Sequence, residues 1–147
     1  LVLESVQLPL HHIKAHGALY NDIAKDAELA NVFLAAIFEY KAICSIYVPY
    51  RSVIELEAKR NGFKIIYEGF ADRNYNDDYT LVNRKYPDAV ISDKAKIVKR
   101  IEEIFETGML TTVSGKQLPF NAQTFCVHSD TANAVEIVRM ISEYFSE

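Results

Sequence analysis

Three polar clusters carry the groups that could do chemistry in this chain: Lys14 with His16, Glu68 with Asp72 and Arg73, and His128 with Asp130, each following a short apolar run. Lys14 and His16 are two residues apart, and alternate side chains of an extended segment face the same way, so an ammonium and an imidazole project together. That pair suits stabilising a developing oxyanion or a phosphate while the imidazole moves a proton. Gly17, next in line, lets backbone approach a ligand closely. Arg73 offers a fork able to grip a carboxylate through two parallel hydrogen bonds, and Asp72 could orient a neighbouring lysine or histidine. Taken alone, Asp72 and Arg73 would be a surface ion pair. His128 ends an otherwise apolar run, and Asp130 sits where a helix should begin, as an N-cap or a binding group.

Such clusters form one site only if the fold gathers them, and parallel sheets do this at the carboxyl ends of their strands. The order of elements fits. Residues 8–13 read as a strand, weakened early by Pro9, and Gly17 to Tyr20 turns away from it. Asp26 caps a helix whose Leu29, Phe33, Ile37 and Tyr40 follow helical spacing. Residues 44–48 form a buried strand stopped by Pro49. Ser52 and Glu55 make a capping box for a helix ending at Asn61-Gly62. Residues 63–67 are the next strand, and the polar, aperiodic stretch 72–86 has the length of a binding loop. Asp93 caps a helix with Ile97, Val98, Ile101, Ile104 and Phe105 on one face, ending at Gly108. Residues 110–120 form a hairpin around Ser114-Gly115-Lys116. Residues 124–127 are the last strand, and Asp130 or Thr131 caps a final helix striped by Ala134, Ile137, Val138, Ile141 and Phe145. Strands apolar on both faces, alternating with helices, indicate an α/β fold with a parallel sheet, one domain over residues 1–147. Residues 1–6 resemble the tail of a helix, so the chain reads as part of a larger architecture.

At 147 residues and 50% hydrophobic, the chain can bury one core. Its net charge of -4 offers no basic stripe for nucleic acid. Its longest apolar stretch, 32–38, is too short to span a bilayer, and no secretory leader is visible, so a cytoplasmic location is inferred. Cys44 and Cys126 read as small buried hydrophobes, and Cys126 with His128 supplies too few ligands for a structural zinc. Neither a Gly-rich phosphate loop nor a nucleophile elbow is present.

The clusters also resemble a known family. Lys14-Ala15-His16-Gly17-Ala18-Leu19-Tyr20-Asn21 resembles the K-P-H-G-A-L-Y-N signature of the LamB/YcsF family, whose members are also called the A subunit of 5-oxoprolinase. Glu68-Gly69-Phe70-Ala71-Asp72-Arg73-Asn74-Tyr75 resembles its E-x-F-A-D-R-x-Y segment, with Leu81-Val82-Asn83-Arg84 in place of L-V-P-R. Cys126-Val127-His128-Ser129-Asp130 resembles C-V-H-G-D. Ala15, Asn83 and Ser129 depart from the pattern at positions that set backbone stiffness. The resemblance implies the C-terminal three-fifths of a distorted, deacetylase-like (β/α) barrel, with the family's N-terminal strands absent. It also implies ATP-dependent opening of the lactam 5-oxo-L-proline to L-glutamate, alongside partner subunits B and C and with a possible homo-oligomer. Carried over by motif, Lys14, His16, Asp72, Arg73 and His128 would be catalytic, and Arg73, Glu68, Tyr75 and Asp130 would bind substrate. No metal ligands are assigned, and a metal requirement is left undecided. Two other readings stand beside this one: a catalytically incomplete fragment or half of an assembly, and a metal-dependent deacetylase or other amidohydrolase.

Overall fold

The computed structural model describes residues 2–145, and two compact units divide the chain, Leu1–Tyr67 and Glu68–Glu147. The first holds α1 (Val2–Ser5), β1 (His12–Ile13), α2 (Ala18–Ile23), α3 (Ala27–Ala36), β2 (Ser45–Pro49) and α4 (Val53–Arg60). β3 (Ile65–Phe70) starts there and ends in the second unit. That unit also holds α5 (Lys94–Thr107), β4 (Met109–Thr111), β5 (Gln117–Pro119), β6 (Thr124–Cys126) and α6 (Ala134–Tyr144).

In the first unit β1 and β2 pair in parallel, His12 against Ser45 and Ile13 against Ile46. The expected strand at 8–13 shrinks to two residues. Gln7 takes a positive φ of 56°, the Leu8 amide turns back to Leu3 O, and Pro9 has no N–H for a ladder. His12 stacks flat on Tyr47, ring centroids 3.8 Å apart, so its role here is packing. The turn expected after Gly17 is a short helix, α2, which Gly17 enters at φ 62°.

Asp26 caps α3 as expected, accepting the Leu29 amide at 3.0 Å. The helix stops at Ala36, however, and a tighter 3₁₀ turn over Phe38–Tyr40 completes the segment. Its deepest residues are Ala30 and Leu34, with Phe33 and Ile37 half-buried beside them. β2 alternates instead of burying both faces: Ile46 and Val48 are buried, their neighbours only partly so.

Ser52 caps α4, accepting the Glu55 amide at 3.3 Å. The returning Glu55 carboxylate takes the Arg51 amide at 2.7 Å, one residue before the amide of a standard capping box. Lys59 and the Tyr67 hydroxyl also donate to it, at 2.7 and 2.6 Å. Burial alone would raise the Glu55 pKa, but these donors together hold it below its ordinary value.

In the second unit β3 and β6 run in parallel, Glu68 against Thr124, Gly69 against Phe125 and Phe70 against Cys126. β3 thus extends three residues beyond the strand expected at 63–67. Gly69 is needed there: a Cβ on it would lie 3.0 Å from the Phe125 ring and 3.1 Å from Ala122 Cβ. Asp93 caps α5 through the Ala95 and Lys96 amides, and Gly108 ends it in the left-handed conformation at φ 65°. β4 and β5 form the expected hairpin, with Gly115 at φ 86° in its turn.

The core of this unit gathers Ala71, Ile91, Ile97, Ile101 and Ile137, with Phe125, Val127 and Ile141 packed against it. Both helical stripes are narrower than their sequence spacing suggests. Phe105 of α5 is 78% exposed, and Val138 of α6 and Phe145, the C-cap of α6, are exposed as well. The N-cap of α6 is Asn133, at φ 61°, so neither Asp130 nor Thr131 caps this helix. Cys44 is buried and Cys126 half-buried, and they form no disulfide with each other.

Candidate active site

The geometry of the site follows from strand register. Phe70 and Cys126 are Cα partners at the carboxyl ends of β3 and β6. Asp72 and His128 each lie two residues further on, the offset at which extended side chains return to the same side. The Ala71 amide extends the pairing to Cys126 O at 3.0 Å. Asp72 and His128 are therefore delivered side by side, although they are separated by more than fifty residues of sequence.

Asp72 is fully buried. The nearer carboxylate oxygen faces His128 Nδ1 at 2.9 Å, and the other, 3.2 Å from the same nitrogen, accepts the His128 main-chain amide at 2.8 Å and the Thr131 hydroxyl. With a carboxylate on its Nδ1 side, the neutral ring carries its proton there and leaves Nε2 as the base. Phe70 stacks on the imidazole, centroids 4.9 Å apart and planes 15° from parallel, which fixes the ring plane. The His128 side chain remains 23% exposed, so the fixed base is still reachable.

Burial alone would raise the Asp72 pKa. The His128 ring, the Thr131 hydroxyl and the His128 amide outweigh it, and the carboxyl is held below its ordinary value. A carboxyl depressed on folding stabilises the fold fully above its unfolded pKa of about 4, and that stability disappears as pH falls through the lower folded value. Denaturant melts should therefore show wild type losing more stability than Asp72→Asn between neutral pH and about pH 3. Equal acid sensitivity of the two proteins would contradict this assignment of charge.

Arg73 is no surface residue. Only 6% exposed, it donates from Nε to Ala89 O at 3.1 Å and from Nη2 to Val82 O at 2.7 Å. The stretch expected as an aperiodic loop folds back on itself under this guanidinium. Arg73 bridges to Val90 and Tyr75 to Leu81, and the Ile91 amide donates to Asp72 O at 2.8 Å. Arg100, from α5, clamps the same turn through Arg73 O and Asn74 Oδ1.

Tyr75 is also buried, its hydroxyl oxygen accepting the Phe70 amide at 2.8 Å, and burial raises its pKa. Glu68 is buried within β3 itself, opposite Thr124. Asp130 is exposed and forms an ion pair with Arg84. In the first unit, Lys14 is half-buried beyond the end of β1, its ammonium 5.6 Å from the centre of the Tyr20 ring, and His16 is exposed.

Among the expected site residues, the second unit thus brings Asp72 and His128 into contact and sets Arg73 beside them in the chain. Sequence reasoning missed Thr131 as a donor to Asp72, Phe70 as the platform for His128, and Arg84 as the partner of Asp130. The sequence signal for Thr131 was its place three residues after His128, in the turn its amide closes to His128 O at 3.1 Å. Among the described residues, no group of three or more His, Cys, Asp or Glu side chains is placed to hold a metal ion. Nor, among them, is any helix long and apolar enough to cross a membrane.

Comparison with known proteins gives a consistent result. The A subunit of a 5-oxoprolinase from Pyrococcus furiosus is 38% identical over 141 residues, 95% of this chain and 55% of the relative. The A subunit of one from Campylobacter jejuni is 38% identical over 136 residues, 92% of this chain and 53% of the relative. The chain therefore spans a little over half the length of these relatives. The crystal structure of a lactam utilization protein from Thermus thermophilus superposes with a TM-score of 0.85 at 28% identity, covering 98% of this chain and 58% of that one. This likeness bears out the α/β class with parallel strands. The model of the LamB/YcsF family matches residues 2–147, and the chain belongs to that family.

Proposed function

We propose that this chain supplies the proton-handling residues of an ATP-dependent lactam hydrolase that opens 5-oxo-L-proline to L-glutamate, within the A component of an enzyme that also holds subunits B and C. One observation carries the reading: a partly exposed histidine whose Nδ1 is fixed by a buried, ionised aspartate at paired strand ends. Its relatives are named as A subunits of 5-oxoprolinase, and a structural neighbour is named for lactam utilization.

The chemistry has a clear requirement. An unstrained five-membered lactam resists water because its amide is resonance-stabilised. ATP, as co-substrate, would transfer its terminal phosphoryl group to the lactam oxygen, releasing ADP and activating the carbonyl carbon toward water. His128 Nε2 then takes a proton from the attacking water, and Asp72 stabilises the imidazolium that forms. The ring C–N bond breaks as its nitrogen is protonated, leaving an acyl phosphate at the former lactam carbon, and a second water hydrolyses that to the glutamate carboxylate and inorganic phosphate. Lys14 neutralises negative charge on the activated oxygen or phosphate, and His16 assists proton transfer beside it. A cytoplasmic setting, where ATP is supplied, suits this reaction.

The test uses the full encoded chain assembled with its partner subunits. Glutamate should appear from 5-oxo-L-proline only with ATP. Lys14→Ala should lower the rate by on the order of 10²-fold or more, as when a preorganised oxyanion donor is removed. Absence of ATP-coupled glutamate from the wild-type assembly would sink the proposal, and an unimpaired Lys14→Ala variant would remove that residue from it.

A further inference from the structure

We propose that Arg84 is a carboxylate-binding subsite that recognises the carboxylate of a small lactam acid, with Asp130 holding its fork until substrate displaces it. This rests on the lactam-hydrolase reading above. Arg84 presents two guanidinium nitrogens to the two oxygens of Asp130, Nη1 to Oδ2 and Nη2 to Oδ1 at 3.3 Å. The fork is thus already aligned for two-point contact with a carboxylate, a geometry that a lysine could not reproduce.

Three further features distinguish this pair from an ordinary surface contact. Its position is the first: Asp130 lies in the turn that begins at His128 and is closed by the Thr131 amide. Arg84 holds the Asp130 carboxyl below its ordinary pKa, and the nearby His128 acts in the same direction. The second is its footing. Val82, two residues before Arg84, is anchored from both sides, its carbonyl by buried Arg73 and its amide by Asn74 O at 2.9 Å. Asn83 closes the next turn, accepting the Lys85 amide on its side chain and the Tyr86 amide on its carbonyl.

The third is exchangeability. Arg84 and Asp130 are 46% and 60% exposed, and exposed ion pairs contribute little to stability. A substrate carboxylate can therefore replace Asp130 at small cost. Arg73, by contrast, is buried with donors committed to Val82 and Ala89, and Arg100 is committed to Arg73 O and Asn74. A lactam gripped at Arg84 by its carboxylate would be held beside the turn that carries the His128 base.

The test measures binding and turnover in the full encoded chain with its partner subunits, using 5-oxo-L-proline and its carboxyl-free analogue 2-pyrrolidone. Arg84→Met should weaken 5-oxo-L-proline binding and raise its KM by about 10- to 100-fold, the loss of charge-assisted hydrogen bonds, while kcat changes little. Its preference for 5-oxo-L-proline over 2-pyrrolidone should collapse. Asp130→Asn should do the opposite and tighten 5-oxo-L-proline binding, because the fork no longer has an internal competitor. A merely structural latch would weaken binding in both variants, so weaker binding in Asp130→Asn overturns the subsite. So does unchanged binding in Arg84→Met, or no binding to wild type. Arg84-dependent binding without glutamate release would support the subsite and count against the hydrolase reading alone.

Discussion

Asp72→Asn should lower the rate of lactam opening by about 10⁴-fold in the assembled enzyme, the size seen when the carboxylate of an Asp–His pair is replaced by its amide. The cause is the tautomer of His128. One Asp72 oxygen accepts both the His128 amide and the Thr131 hydroxyl, and that position demands an acceptor. Asparagine must place its single oxygen there, which turns its amino group toward His128 Nδ1. Two donors cannot share a hydrogen bond, so Nδ1 gives up its proton and Nε2 carries it instead. The ring keeps its position over Phe70 but can no longer act as a base on water. Imidazole nitrogen chemical shifts should report protonation moving from Nδ1 to Nε2, and kcat should fall while KM stays nearly constant. A variant that loses activity with its tautomer unchanged would mean that Asp72 acts through folding alone.

The elements governed by local signals were legible in the sequence. Asp93 and Gly108 bound α5, Ser52 opens α4 and Gly115 turns the hairpin, because capping and left-handed turns are decided within a few residues. Helical spacing located the buried face of each helix but not its width. Val138 and Phe105 lie at stripe edges, and only the packing of α5 and α6 decides that these edges face outward. The three chemical clusters were visible as residue types, yet the partnership of Asp72 with His128 was not. It depends on the pairing of Phe70 with Cys126, a register between segments far apart in the chain. The stretch 72–86 looked aperiodic for a related reason. Its order comes from main-chain carbonyls collected by Arg73, and a side chain bonding to carbonyls leaves no periodic trace in sequence.

That role for Arg73 predicts the second large effect. Arg73→Met keeps much of the side chain's apolar stem but strips Val82 O of its donor and leaves Ala89 O with only the Asn74 amide at 3.1 Å, in residues 5% and 1% exposed. The orphaned Val82 acceptor costs about 1–3 kcal/mol and the second bond lost at Ala89 O adds about 1 kcal/mol, partly offset because the fold no longer dehydrates a guanidinium. That dehydration is real, since burial is the chief cause of the depressed Arg73 pKa. The net expectation is a loss of about 2 kcal/mol in denaturant unfolding. Amide exchange should quicken first at Asn74, Val82 and Ile91, whose main-chain bonds tie the folded-back stretch together. Arg73→Lys should rescue little, because an ammonium lacks the planar fork that reaches two carbonyls at once. The sequence alone suggested a different role for Arg73, gripping the substrate carboxylate. That role would leave unfolding free energy and amide exchange almost unchanged in Arg73→Met and move KM instead, so the two accounts separate in a single variant measured by both methods.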